Sequence, residues 1–204
     1  TITWFPATEI ACQNVQLESS IKQIGYLAGA GDLVAESLQQ IGINVTTLSD
    51  KDMNPATLSQ YDAVVIGVRY FNVIKNSQNN LKKLLDYAHQ GGVVIAQYNV
   101  NSKLMTDKLG PYSFSLGRER VTEENSQFSF NEKDPAFSYP NKITKQDFDD
   151  WVQERGLYFA ENIDSKYRTP LQMHDKDERA HNGSLLITKL GKGKFVYTSL
   201  SFFR

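Results

Sequence analysis

A chain of 204 residues, 40% hydrophobic and 11% aromatic, carries enough apolar side chains for one full core. A single domain over 1–204 is therefore expected, with 1–20 as an N-terminal extension to which the sequence assigns no role. A formal charge of -1 leaves no basic footprint for nucleic acid, and no run reaches the roughly 18 apolar residues that read as a membrane span.

The opening Thr1-Ile2-Thr3-Trp4 has no initiator Met and no charged-then-apolar leader, so the chain reads as a processed or excised piece of a longer one. A periplasmic or extracellular location then follows only if the parent protein is exported. The single Cys12 excludes an internal disulfide and a multi-Cys metal site. It stands in a Gln/Asn-rich stretch with no basic neighbour to favour the thiolate, which makes it a poor nucleophile.

The first half alternates strand and helix. Ile24-Gly25-Tyr26-Leu27-Ala28 is a short apolar strand ending in Gly29-Ala30-Gly31-Asp32. A helix follows, with Val34, Leu38 and Ile41 on one face and Gly42 as its stop. The glycine pair before it resembles the start of a phosphate-cradling loop. The third glycine of that fingerprint falls on Val34, however, and Asp32 would repel a phosphate, so a tight turn with Asp32 as N-cap is the better reading. Residues 44–48 form a second strand. Residues 62–68 form a third, whose continuous apolar run suits a parallel sheet covered on both faces. Leu81, Leu84, Leu85 and Ala88 define a helix closed by Gly91-Gly92, with His89 in its last turn. These βαβ units imply a doubly wound α/β fold with a mainly parallel sheet.

The next strand, Val93-Val94-Ile95-Ala96-Gln97, stands where an α/β amidotransferase or hydrolase presents its nucleophile on a sharp Gly-x-Cys/Ser-x-Gly turn. Here it runs into Tyr98-Asn99-Val100-Asn101, without Cys, Ser or flanking Gly. The frame of a catalytic fold lacks its catalytic atom, and no cofactor motif replaces it.

Residues 98–142 are rich in Asn, Ser, Pro and Gly, with one strand candidate at 127–130. Thr144 and Asp147 predict an N-capped helix carrying Phe148, Trp151 and Val152 inward as far as Gly156. The chain then ends in a hairpin around Gly191-Lys192-Gly193. His174, Asp175, Asp177, Glu178 and His181 crowd one stretch. Lys176 and Arg179 interrupt it and no ligand spacing repeats, so a solvated loop is expected rather than a metal site.

Ligands of doubly wound sheets bind outside the carboxyl ends of the strands. That rule gathers Asp32, Arg69, Asn72, Gln97, Asn99, Arg118, Arg120 and Glu123 as one candidate set, suited to a polyhydroxylated or carboxylate ligand. A self-satisfied polar network, with Arg118 and Arg120 paired to Glu123, Glu124 or Glu154, is the alternative.

Several blocks extend the reading. They are residues 24–32, 61–69, Leu109-Gly110-Pro111-Tyr112, 118–125, 151–159, and 191–193 through Phe202-Phe203-Arg204. Together these resemble the C-terminal domain of bacterial LmbE/PIG-L-type deacetylase proteins, itself similar to class I glutamine amidotransferases and ThuA-like proteins. The resemblance implies a flavodoxin-like domain that follows a zinc-dependent N-acetylsugar deacetylase domain in the same polypeptide. The His-Pro-Asp-Asp metal motif of that deacetylase is nowhere in this chain, so its activity does not carry over. The expected function is a non-catalytic accessory domain that binds a carbohydrate-like ligand or packs on the deacetylase domain. A ThuA-like enzyme of sugar metabolism, or a hydrolase with an unfamiliar site, is the alternative.

Overall fold

The structure, a computed structural model, describes residues 16–149, 151 and 154–201. The opening at 1–4, Cys12, Val152 and the closing block at 202–204 lie outside the described residues. In chain order the first half runs β1 (Gln23–Leu27), α1 (Val34–Gln40), β2 (Asn44–Thr47), α2 (Pro55–Leu58), β3 (Ala63–Ile66), α3 (Tyr70–Val73), α4 (Ser77–Gln90) and β4 (Val93–Ala96). Short pieces follow: β5 (Ser115–Leu116), β6 (Arg120–Val121), β7 (Gln127–Phe130), α5 (Pro135–Ser138), β8 (Gly156–Leu157), β9 (Ala160–Glu161) and β10 (Leu171–His174). The hairpin β11 (Leu185–Leu190) and β12 (Gly193–Thr198) closes the described chain.

The main sheet has the order β11-β12-β4-β3-β1-β2. All its pairs are parallel except β11 with β12. The run β2-β1-β3-β4-β12 is the flavodoxin-like order, so the expected fold class is the one observed. Register explains the two buried faces. Tyr26, Val65, Ile95 and Val196 align across the strands as one row, and Leu27, Ile66, Ala96 and Tyr197 as the next. Since side chains alternate along a strand, successive rows face opposite sides. Tyr26, Val65 and Ile95 pack with Val34, Ala35 and Leu38 of α1. The other row packs with Leu81, Leu84 and Ala88 of α4. Leu84 and Ala88 are fully buried, whereas α1 buries no residue completely and leaves Ile41, expected on its apolar face, exposed. Burying a leucine of that kind contributes about 1.5–3 kcal/mol, so α4 anchors its layer far more firmly than α1.

The helix expected from 144 to 156 is not formed. Thr144 and Asp147 do make their reciprocal cap, but over a single 3-10 turn, Lys145–Phe148. Asp149 is already extended, and Gly156 lies in β8. The reason lies in tertiary contacts. The Phe148 carbonyl, which a continuing helix would use internally, accepts Nη1–H of the buried Arg155 at 2.7 Å. Arg155 also donates to Ser126 Oγ and to the Glu124 carbonyl, and its guanidinium lies 5.3 Å from the Trp151 ring centre. Phe148 stacks on Phe128 at 4.3 Å, in a small second core that also contains Phe137, Phe159, Leu171 and Met173. An aromatic cluster and a buried cation thus override a good local helix start.

Candidate functional site

The chain exits from β1, β3 and β4 lie side by side at the carboxyl edge of the sheet. The first two cross so closely that a Cβ on Gly29 would stand 2.0 Å from the Val68 carbonyl oxygen, which only glycine tolerates. Asp32 ties them together. Its Oδ1 accepts the Val34 N–H at 3.0 Å, and its Oδ2 accepts the Tyr26 hydroxyl at 2.6 Å and the Val68 N–H at 2.9 Å. Burial and this carboxylate both push the Tyr26 hydroxyl well above the ordinary tyrosine range. Asp32 therefore organises the tight turn expected before α1, but the N-cap position itself falls on Leu33 and not on Asp32.

Two asparagines spend their polar atoms in the same way. Asn99 accepts the Phe71 N–H at 3.0 Å and donates to the Gln97 carbonyl at 2.8 Å. Asn72 donates to the carbonyls of Val100 and Ser102 and accepts the Val100 N–H. Together they stitch α3 to the segment leaving β4. Arg69 occupies the left-handed region at φ 56° and donates its N–H to the Tyr98 carbonyl at 2.7 Å. Its side chain is exposed and has no ion pair among the described residues.

Gln97 differs from all of these. It is 1% exposed, and neither Oε1 nor Nε2 has a hydrogen-bond partner. Its main chain is satisfied, the N–H donating to the Ile66 carbonyl and the carbonyl accepting from Asn99.

Asp32, Arg69, Asn72, Gln97 and Asn99 are thus brought together. Arg118 is exposed and follows Gly117, whose carbonyl accepts Nδ2–H of Asn101 at 3.2 Å. Arg120 and Glu123 face another way. Arg120 Nη1 lies 3.7 Å from Glu178 Oε1, and Glu123 Oε2 accepts the Lys176 N–H at 2.8 Å. Of the pairings considered from sequence, the described residues show neither arginine paired with Glu123 or Glu124.

Within the 174–181 stretch residues 176–180 form the exposed loop expected, but Asp175 and His181 at its ends do not face solvent. Asp175 is buried and accepts the N–H groups of Thr122 and Glu123 and the Thr122 hydroxyl, all within 3.0 Å. Burial alone would raise its carboxyl. Those donors, with Arg120 nearby, outweigh burial and hold it below the ordinary carboxylate range. His181 is also buried. Its backbone pairs in both directions with Met173, and its Nε2 lies 3.3 Å from Glu119 Oε2. Here the 119–123 segment and Met173 of β10 supply the partners that make burial of polar groups possible.

Glu119, Arg179 and His181 stand outside the candidate ligand set drawn from the sequence, where His181 is weighed only as a metal ligand. They border a cleft of about 430 Å³ together with Glu161, Asn162 and Asn182. The available signal was the alternation in Arg118-Glu119-Arg120, which turns Glu119 inward between two exposed arginines. The cleft also lies at the carboxyl edge, because antiparallel β11 begins where β12 ends, with Leu185 opposite Thr198. A larger cavity of about 540 Å³ opens at the amino edge between α2 and α4. Its Asp62 is engaged by the N–H groups of Lys22 and Gln23. Among the described residues no three His, Cys, Asp or Glu side chains are placed to hold a metal ion. No described helix is long and apolar enough to cross a membrane.

No protein-family model matches the chain, and no curated protein matches its sequence. Solved structures do share its fold. It is similar to a β-galactosidase from Rahnella sp. R3 (16% identity, TM-score 0.52), where the match covers 88% of this chain and 29% of that one. It is also similar to a cytoplasmic protein of Salmonella typhimurium (12% identity, TM-score 0.52, 89% and 87% covered). At these identities the likeness is one of fold. The chain spans less than a third of the β-galactosidase it matches.

Proposed function

We propose that this chain is a non-catalytic, amidotransferase-like accessory domain of an LmbE/PIG-L-type protein, binding a carbohydrate-like ligand at the carboxyl edge of its sheet. The observation that carries the reading is Gln97. The strand end that would present a nucleophile holds a carboxamide instead, buried and with both polar atoms unpartnered. Such a group costs about 1–3 kcal/mol of stability, a cost retained where a bound molecule completes the hydrogen bonds. Arg69 and Arg118, both exposed, add the planar donors that sugar hydroxyls or a sugar-acid carboxylate use. The similar β-galactosidase, of which this fold forms a minor part, supports the idea of an α/β domain attached to a carbohydrate-active enzyme.

Packing on a deacetylase domain of the same polypeptide is the second reading. Leu33, Val73 and Met105 support it, as large apolar side chains left exposed on the segments that follow β1, β3 and β4. Calorimetric titration with neutral sugars, amino sugars and sugar acids tests the first reading, using Arg69→Ala, Arg118→Ala and Gln97→Met. Saturable binding weakened by these substitutions supports it. If Arg118→Ala leaves every affinity unchanged but lowers the melting temperature, that arginine is structural and the site fails there.

A further inference from the structure

The cleft beside Gly183 is built from a braced wall and an unspent rim. Its back is tight: a Cβ on Gly183 would lie 2.0 Å from the Ala160 carbonyl oxygen, and the Ala160 N–H donates to the Gly183 carbonyl at 3.0 Å. One wall is fixed by Glu119, whose two carboxylate oxygens are divided between His181 Nε2 at 3.3 Å and Arg179 Nη2 at 2.5 Å. With His181 more than nine-tenths buried and clamped to Met173, the 179–182 segment is held before any ligand arrives.

The rim supplies acceptors. Glu161 is exposed and has no ion pair or hydrogen bond from its side chain among the described residues. Asn162, held at φ 51°, donates Nδ2–H to Ser115 Oγ at 2.9 Å, which leaves its Oδ1 uncommitted. Asn182 donates Nδ2–H to Thr169 Oγ1 at 3.3 Å and likewise keeps its Oδ1. Arg179 is the arginine of this cleft, and Glu119 already neutralises it. The cleft therefore offers one open carboxylate and two amide oxygens, and it opposes anions.

We infer that this cleft binds a hydroxylated ligand bearing an ammonium group, with Glu161 as counter-ion and Asn162 and Asn182 accepting from its hydroxyls. It shares no residue with the Asp32, Arg69, Gln97 and Asn99 group, so it and the function proposed above stand or fall separately.

A charge series on one ring tests it: glucosamine, glucose and glucuronate, titrated against the whole chain by calorimetry at fixed ionic strength. Glucosamine is expected to saturate about tenfold more tightly than glucose, with glucuronate weakest. Glu161→Gln should remove that tenfold preference without moving the melting temperature, and Asn182→Ala should weaken both sugars that bind. The inference is overturned if glucosamine does not saturate, if glucuronate binds as tightly, or if Glu161→Gln leaves the preference intact. Should glucosamine binding disappear in Arg69→Ala and persist in Glu161→Gln, the ligand sits over β3 and β4 and the cleft is not its site.

Discussion

Replacing Gln97 by methionine isolates the one buried side chain on which the functional reading depends. Methionine has nearly the same length and no branch, so the main-chain bonds to Ile66 and Asn99 and most packing contacts are kept. What disappears is a carboxamide whose oxygen and nitrogen are both buried without partners. Burying such a group costs about 1–3 kcal/mol, so the variant should be more stable by that order. For a domain of this size each kcal/mol moves the melting temperature by about 2–4 °C, which places the expected rise near 5 °C. Urea unfolding should show a higher midpoint with an unchanged slope, since the surface exposed on unfolding is the same. A loss of about 1 kcal/mol or more would refute the argument, because it would mean that the amide is hydrogen-bonded in the folded protein. A gain in stability together with lost sugar binding is the outcome that links the cost to function.

Three further outcomes are expected. Asp175→Asn should lower stability at neutral pH by about 2 kcal/mol, since a charged acceptor of three hydrogen bonds is replaced by a neutral one. Because its folded carboxyl lies below the ordinary range, this contribution is complete above the unfolded-state value near pH 4 and is lost as pH falls through the folded value. Acid titration of the wild type and variant should therefore converge at low pH, and curves that stay parallel would refute it. Gly183→Ala should destabilise by about 3 kcal/mol or fail to fold, because its Cβ meets backbone rather than a movable side chain; a change below 0.5 kcal/mol, the usual surface value, would refute this. Elemental analysis of the purified domain should find no stoichiometric zinc; about one tightly held ion per chain, lost in His174→Ala, would place a metal in the 174–181 stretch.

What could be read directly from the sequence is local or periodic. The apolar run at 63–66, the α4 stripe of Leu81, Leu84 and Ala88, the glycine turns and the closing hairpin each fix their own conformation. Alternation of strands with helices then leaves the doubly wound arrangement as the way to bury both faces of the sheet. The missing nucleophile after β4 was visible for the same reason, since an elbow is defined by adjacent residues. Partners distant in the chain were not visible. Whether residues 144–156 stayed helical was decided by Arg155 taking the Phe148 carbonyl, and no propensity encodes that contact. Which polar side chains were scaffold and which were unspent was also settled only in three dimensions. Asn72 and Asn99 look as available as Gln97 in the sequence, yet backbone groups 28 residues away in the chain consume them. His181 and Asp175 became buried because the 119–123 segment delivered donors and acceptors from more than fifty residues away in the chain. Hydrogen-bond accounting is a property of the folded surface, so composition and spacing can propose a site, but only the packed structure shows which of its atoms are still free.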